Sequence, residues 1–225
     1  MIIFDNVKKF YGQKPVLNGI SIAIEPQEFV SIIGPSGAGK STLIYTLIGA
    51  EKIHEGSISV DDYKVHMMSE KALQMYRRKL GVIFQDYKLL PKKNIYENVA
   101  FALETCGYPK DQIKKRVEEV IEIVGLSKLL DKFPRQISGG EQQKTAIARA
   151  LAHDPKLIIA DEPTGNLDPE SAEEILDLLM KINKNGSTVL LATHNKHLVN
   201  TLQQRVIRLE EGKIVSDLAH SGYHL

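Results

Sequence analysis

The chain has 225 residues, of which 43% are hydrophobic and 25% are charged, a composition typical of a folded globular domain with a buried core. Its 29 basic and 28 acidic side chains leave a formal net charge of +1, which argues against a nucleic-acid clamp that covers the whole protein. One cysteine cannot form an internal disulfide, and we find neither a signal peptide nor an apolar stretch long enough to span a membrane. We therefore expect a soluble, cytoplasmic chain that binds no nucleic acid and reaches a membrane only through a partner.

The first part of the chain is rich in strands. Ile2–Tyr11, Ser21–Ile24 and Gly56–Val60 alternate between apolar and polar residues or are rich in β-branched ones. Phe29–Ile33 is a short apolar run that ends at a glycine, which is typical of a buried central strand. The pattern predicts an antiparallel β region at the N-terminus, beside the first strand of a buried sheet.

The middle of the chain changes to a helical pattern. Apolar residues with helical spacing predict helices at Asn94–Glu104 and Lys110–Val124. Another helix is expected to begin at Ser138 and to run to about His153. These helices predict an inserted helical lobe at about residues 86–153.

Buried strands return after this block, at Leu157–Ala160 and Thr188–Thr193, with a helix between them at about Pro169–Asn183. Arg205–Leu209 and Lys213–Val215 predict a closing hairpin. Strands that alternate with helices indicate an α/β fold with a mainly parallel sheet. We expect one domain over residues 1–225, with a core at about 1–85 and 154–217 and a short tail at 218–225.

A glycine-rich loop follows the apolar strand and matches the pattern G-x-x-x-x-G-K-S/T, with a helix expected at Thr42–Ile48. Its glycines let backbone N–H groups converge on phosphate oxygens, and the helix adds its positive N-terminal end. Lys40 would reach the β- and γ-phosphates, and Ser41 would ligate Mg²⁺. The predicted ATP-binding residues of this loop are Gly34, Pro35, Ser36, Gly37, Ala38, Gly39, Lys40, Ser41 and Thr42.

Two carboxylates, Asp161 and Glu162, end the apolar strand at Leu157–Ala160. By themselves they are weak evidence, because strands often end in charged residues. Beside a phosphate-binding loop, however, the first carboxylate would hold Mg²⁺ and the second would deprotonate the attacking water.

The segment Ile137–Gln143, Ile-Ser-Gly-Gly-Glu-Gln-Gln, decides between classes of P-loop protein. Ser138 could be an ordinary helix N-cap beside two glycines. The same residues, however, expose backbone N–H groups at a second helix N-terminus, which could bind an anion. A chain with two phosphate-binding surfaces suggests a head-to-tail homodimer in which each chain completes the other's site.

With these motifs in order, the chain resembles the ABC-type ATPases, a family of P-loop NTPases that hydrolyse Mg-ATP. The resemblance implies that Tyr11 stacks on adenine, that Gln85 contacts Mg²⁺ and the attacking water, and that His194 contacts the γ-phosphate. It implies a dimer-interface role for Asp168. It assigns the binding of the opposite chain's ATP to the signature residues Ser138, Gly139, Gly140 and Glu141, and catalysis to Lys40, Gln85, Glu162 and His194.

Segments at Gln85–Pro91, Tyr96–Glu104, Ala160–Asp168 and Ala192–Asn195 are similar to the FtsE family of bacterial cell-division ATPases. That resemblance implies a peripheral ATPase at the cytoplasmic face of the cell membrane, paired with an integral membrane partner of FtsX type. ATP turnover would then control peptidoglycan hydrolases. The ATPase subunits of lipoprotein-releasing and macrolide-type export complexes are the alternative.

A hypothetical docking surface for the partner follows Gln85 and comprises Tyr87, Leu89, Leu90 and Tyr96. The alternative for any of these residues is packing inside the helical lobe.

Overall fold

The computed structural model describes residues 1–219, apart from the side chains at 196–198. The strands are β1 (Ile2–Tyr11), β2 (Lys14–Ile24), β3 (Phe29–Ile33), β4 (Glu55–Val60), β5 (Tyr63–Lys64), β6 (Leu80–Phe84), β7 (Leu157–Asp161), β8 (Thr188–Thr193), β9 (Arg205–Glu210) and β10 (Lys213–Leu218). The α-helices are α1 (Lys40–Leu47), α2 (Glu70–Arg77), α3 (Ile95–Thr105), α4 (Lys110–Ile123), α5 (Gly139–Leu151), α6 (Pro169–Lys184) and α7 (Lys196–Leu202). Beyond residue 219, the predicted tail lies outside the described residues.

The strands form two sheets. One has six strands in the order β10-β9-β3-β8-β7-β6, and its neighbouring strands are parallel except for β10, which pairs antiparallel with β9. The other has four antiparallel strands in the order β2-β1-β4-β5. The predicted α/β fold, with a mainly parallel sheet and an antiparallel region at the N-terminus, is confirmed.

The parallel sheet is buried on both faces because its strands send successive side chains to opposite sides. In β7, Ile158 and Ala160 pack with helices α3 to α6 on one face. Leu157 and Ile159 of the same strand pack on the other face with α1 and the antiparallel sheet. Two apolar cores therefore hold the sheet in place, and the polar ends of its strands remain at the edges.

Helices α3, α4 and α5 occupy the chain between β6 and β7 and share one apolar core. Asn94 caps α3 by accepting from the N–H of Glu97, whose carboxylate accepts from the N–H of Asn94. Arg116 of α4 donates to the carbonyl of Ala152, which follows α5. Among the described residues, no helix is both long and apolar enough to cross a bilayer.

Two short helices, α2 and α7, were not predicted, and β2 begins at Lys14 rather than at Ser21. The first of these helices buries only Leu73 and Tyr76 on one turn, so its apolar periodicity is too brief to recognise. The additional residues of β2 pair with β1 along its length, through irregular register. This pairing, rather than the local pattern, extends the strand.

Candidate active site

The parallel strands β3, β8, β7 and β6 end at one edge of the sheet. Gly34 follows β3, Glu162 follows β7, His194 follows β8 and Gln85 follows β6. Open α/β sheets bind ligands outside the carboxyl ends of their strands, so this edge is the expected location of a site.

A cavity of about 980 Å³ opens at this edge. The predicted site residues that line it are Tyr11, Gly34, Pro35, Ser36, Gly37, Gly39, Lys40, Ser41, Thr42, Gln85, Glu162 and His194. Ala38 is buried, and its carbonyl accepts from the N–H of Gly212 in the β9–β10 turn. The structure therefore brings together residues from five strand ends in one cleft.

The glycine-rich loop has a backbone that other residues could not adopt without strain. Gly34 has φ +151°, and a Cβ added there would lie 2.1 Å from the carbonyl oxygen of Leu209. Gly39 has φ +107°, with a corresponding distance of 2.7 Å to the carbonyl oxygen of Val16. Both glycines are required because the loop passes against the backbone of neighbouring strands.

Helix α1 begins at Lys40, whose side chain is 7% exposed. The ammonium donates to the carbonyl of Gly34 at 3.0 Å, and lies 3.6 Å from Oε1 of Glu162. A cation is thus held at the mouth of the loop, where the phosphates of a nucleotide would lie.

Ser41 donates its hydroxyl to Oδ1 of Asp161 at 3.1 Å, although the two residues are 120 positions apart. Asp161 is 6% exposed, and its burial raises the pKa of the carboxyl above its ordinary value. A hydroxyl and a carboxylate are hard oxygen ligands of the kind that Mg²⁺ takes beside substrate phosphates. This donor pair fits the predicted metal.

Glu162 lies between the side chains of Lys40 and His194. Its Oε2 is 2.9 Å from Nδ1 of His194 and accepts from the N–H of that residue at 3.3 Å, while Oε1 faces Lys40. The backbone of Glu162 has φ +49°, and its N–H donates to the carbonyl of Ala192 in β8. This unusual conformation aims the carboxylate into the cavity instead of along the strand.

Gln85 is tied to the loop after β7. Its Nε2 lies 3.4 Å from Oδ1 of Asn166, whose Nδ2 donates to the carbonyl of Gln85 at 3.2 Å.

Asp168 caps α6 by accepting from the N–H and the hydroxyl of Ser171, and these hydrogen bonds lower the pKa of its carboxyl. Asp168 is therefore the N-cap of α6.

Ser138, Gly139, Gly140 and Glu141 lie at the N-terminus of α5, and none of them is among the described residues that line the cavity. Ser138 and Glu141 form a capping box, in which the carboxylate accepts from the N–H of Ser138 at 2.7 Å. The glycines pack closely, since a Cβ on Gly139 would lie 3.1 Å from the hydroxyl of Tyr87. The N-termini of α1 and α5, which both follow glycine-containing segments, are therefore separate surfaces of one chain.

Comparison with known proteins gives the family. The family model described as ABC transporter matches residues 17–165. The chain belongs to the ABC transporter ATPase family. It is therefore an ATP-binding protein that hydrolyses ATP.

Several proteins are similar to this ABC ATPase. The cell division ATP-binding proteins FtsE of Streptococcus pneumoniae and Bacillus subtilis are each 50% identical to it, over 97% and 99% of this chain and 95% and 98% of their own lengths. The methionine import ATP-binding protein MetN of Clostridioides difficile is 45% identical, over 96% of this chain and 67% of its own length. A dimeric ATP-binding cassette, solved in a post-hydrolysis state bound to ADP and Pi, matches with a TM-score of 0.89 and 35% identity, over 99% of this chain and all of that one.

The sequence did not reveal two groups that line the cavity of this ABC ATPase, nor an arginine that holds the segment after Gln85. Arg208 and Glu210, at the end of β9, line the cavity and pair with each other. Arg149 donates to the carbonyls of Tyr87 and Lys88 at 2.9 and 2.6 Å. Arg149 has no local pattern that would reveal this role, because it binds backbone atoms about sixty residues away.

The four predicted docking residues differ in their surroundings. Leu90 lines a groove of about 400 Å³ between the sheet and the helices, together with Lys88 and the 40% exposed Phe101. The Tyr87 hydroxyl lies beside Gly139, and Tyr96 packs against the core of the helices. Leu89 is half-buried.

Proposed function

We propose that this ABC ATPase works as a head-to-tail homodimer, with Mg-ATP between the loop at Gly34–Thr42 of one chain and the signature residues Ser138–Glu141 of the other. The observation that carries this proposal is the separation of two glycine-rich helix N-termini. That of α1 opens into the cavity, and that of α5, at Ser138–Glu141, is not among the described residues that line it. The helical lobe at about residues 86–153 would carry the second. The dimer found among similar solved structures supports the arrangement.

In the proposed reaction, Glu162 accepts a proton from the attacking water while Lys40 neutralises charge on the phosphates. His194 holds the Glu162 carboxylate at 2.9 Å and contacts the γ-phosphate from the end of β8. Ser41, Asp161 and Gln85 would hold Mg²⁺, and the ion would supply positive charge beside the phosphates.

The nucleoside would lie along the cavity wall at Tyr11, which is 48% exposed and stacks on adenine in this proposal. Gln85 and Asp168 would relay the state of the site, the first toward the helical lobe and the second across the dimer interface. The hydrogen bonds between Gln85 and Asn166 support a link between these two loops.

We propose a cell-division role, at the cytoplasmic face of the cell membrane, with an integral membrane partner of FtsX type that controls peptidoglycan hydrolases. Identity of 50% over nearly the full length to FtsE proteins supports this role. A transport ATPase is the second candidate, because a methionine import protein is 45% identical over 96% of the chain. Lipoprotein-releasing and macrolide-type export complexes belong to the same candidate class.

The partner would dock at the segment that contains Tyr87, Leu89, Leu90 and Tyr96. The groove at Leu90 and Phe101 supports this site, because both apolar and basic side chains line it. A short amphipathic helix of the partner with acidic residues fits that chemistry.

The test is a pull-down from membranes with the variant Glu162→Gln and ATP, followed by identification of the integral membrane protein retained. Recovery of an FtsX-type protein, and its loss when Lys40→Ala is added, is the expected result. Recovery of an import or export permease instead would overturn the division role and leave the ATPase mechanism in place.

A further inference from the structure

Lys9 is a buried cation that the proposed mechanism does not use. It lies in β1, two residues before Tyr11, and is 7% exposed. Its neighbour Lys8 instead forms a pair with Glu55 at the surface. A buried ammonium costs free energy unless it is fully paired, so an apolar residue would fill the same space more easily. The contacts of Lys9 therefore need an explanation.

Three groups surround the ammonium of Lys9. It donates to the carbonyl of Lys52 at 2.8 Å and lies 2.7 Å from Oε2 of Glu51. It also lies 5.2 Å from the centroid of the Tyr11 ring, over its face. A cation at this distance is attracted by the ring quadrupole, and holds the ring in one orientation.

Glu51 connects this cluster to the phosphate-binding helix. Its N–H donates to the carbonyl of Tyr45 in α1 at 3.1 Å, in the turn that follows the helix. The hydrogen bond from Lys9 is the main cause that lowers the pKa of the Glu51 carboxyl, and the Tyr11 hydroxyl acts in the same direction. By geometry, the tyrosine is held through its ring face, which lies under the ammonium of Lys9.

We propose that Lys9 and Glu51 are positioning residues that fix the Tyr11 ring against the adenine base and so set the affinity for the nucleoside part of ATP. This inference rests on the proposed contact between Tyr11 and adenine. The pair acts from outside the phosphate site, since Lys40 and Ser41 stand at the other end of α1. Its loss should therefore weaken recognition of the base and leave recognition of phosphate unchanged.

The test compares the binding of ATP and of inorganic tripolyphosphate by calorimetry. Lys9→Met, which keeps the length of the side chain, is expected to weaken ATP binding about 3- to 10-fold and to raise KM rather than lower kcat. Tripolyphosphate binding should stay at the wild-type value. Lys9→Arg should restore most of the ATP affinity. The matched surface variant Lys8→Met should change neither ligand.

If Lys9→Met weakens the binding of ATP and of tripolyphosphate equally, Lys9 has a structural role and the inference is overturned. No change in the binding of either ligand would also overturn it. Glu51→Gln provides the second test if Lys9→Met fails to fold, with the same expected pattern. Tyr11→Ala separates the two proposals. If Tyr11→Ala leaves ATP affinity unchanged, the adenine contact itself fails. If Tyr11→Ala weakens the binding of ATP but not of tripolyphosphate, and neither Lys9→Met nor Glu51→Gln weakens ATP binding, only the positioning inference fails.

Discussion

The imidazole of His194 and the carboxylate of Glu162 are in direct contact, with Nδ1 of the first 2.9 Å from Oε2 of the second. The contact joins the ends of β8 and β7, which are adjacent in the sheet. Because the other carboxylate oxygen faces Lys40, Glu162 is oriented from both sides. A base held in this way needs little reorganisation when it receives a proton.

Glu162→Gln should therefore keep the geometry of the site and lose the base. We expect kcat for ATP to fall about 10²- to 10⁴-fold, with ATP affinity retained, because an amide cannot take the proton from water. Phosphate release and nucleotide titration measure the two quantities. The control Glu211→Gln, in the exposed β9–β10 turn, should have wild-type turnover. Near-normal turnover in Glu162→Gln would remove this residue from its assigned role.

Gly34→Ala should destabilise the protein and abolish ATP binding. Its Cβ would meet the carbonyl oxygen of Leu209 at 2.1 Å, so the loop or β9 must move. We expect a loss of roughly 2–4 kcal/mol in the free energy of unfolding, measured in urea. Gly107→Ala is the control, with a similarly left-handed φ of +82° and no atom within 4 Å of the added Cβ. It should cost only about 1–2 kcal/mol. Equal costs would contradict the steric explanation.

Arg149→Met should loosen the segment that joins Gln85 to the helices. Tyr87 and Lys88 both have positive φ, of 58° and 49°, and Arg149 binds their two carbonyls. We expect a loss of about 1–3 kcal/mol in the free energy of unfolding and faster hydrogen exchange at residues 85–90. Lys144→Met, which breaks a surface pair with Glu174, should leave exchange in this segment unchanged. Unchanged exchange in Arg149→Met would contradict the prediction.

His153 should make the protein less stable as pH falls. Burial lowers the pKa of its imidazole below the ordinary value, and the negative charge of Asp154 opposes this shift only in part. A lowered folded-state pKa means that stability is present above the unfolded value, about 6.5, and is lost as pH falls through the folded pKa. We expect His153→Gln to lose less stability than wild type between about pH 7.5 and 5.5. The urea concentration at the unfolding midpoint, measured at each pH, gives this change in stability. The exposed-site control His54→Gln should follow wild type, and an unchanged slope in His153→Gln would contradict the prediction.

Phe101→Ser should reduce recovery of the membrane partner without affecting the fold. Its ring is 40% exposed in the groove, so its removal costs little stability but takes away apolar contact area. Ile123→Ser, at a 53% exposed position on α4 outside that groove, is the matched control and should bind normally. The double variant Tyr87→Ala with Leu89→Ala tests the docking segment that follows Gln85. Normal partner recovery by this variant and by Phe101→Ser would exclude the docking surface.

The local elements of this protein follow from contiguous sequence. Phe29–Ile33 and Thr188–Thr193 form strands with the predicted bounds, because short apolar runs are stable only when both faces are buried. The loop at Gly34–Ser41 was recognisable because its glycines are needed for backbone conformations that few other residues adopt. The family, the fold class and the phosphate-binding motif can all be predicted from such contiguous segments.

Only the tertiary structure decided how the segments meet. β3 and β7 are separated by β8, so the positions of Glu162 and His194 relative to Lys40 depend on strand order and register. Arg149 binds the carbonyls of Tyr87 and Lys88, and Lys9 pairs with Glu51, although no spacing rule relates these residues. Their partners are backbone carbonyls and side chains of distant segments, and those contacts exist only once the sheet and helices have packed.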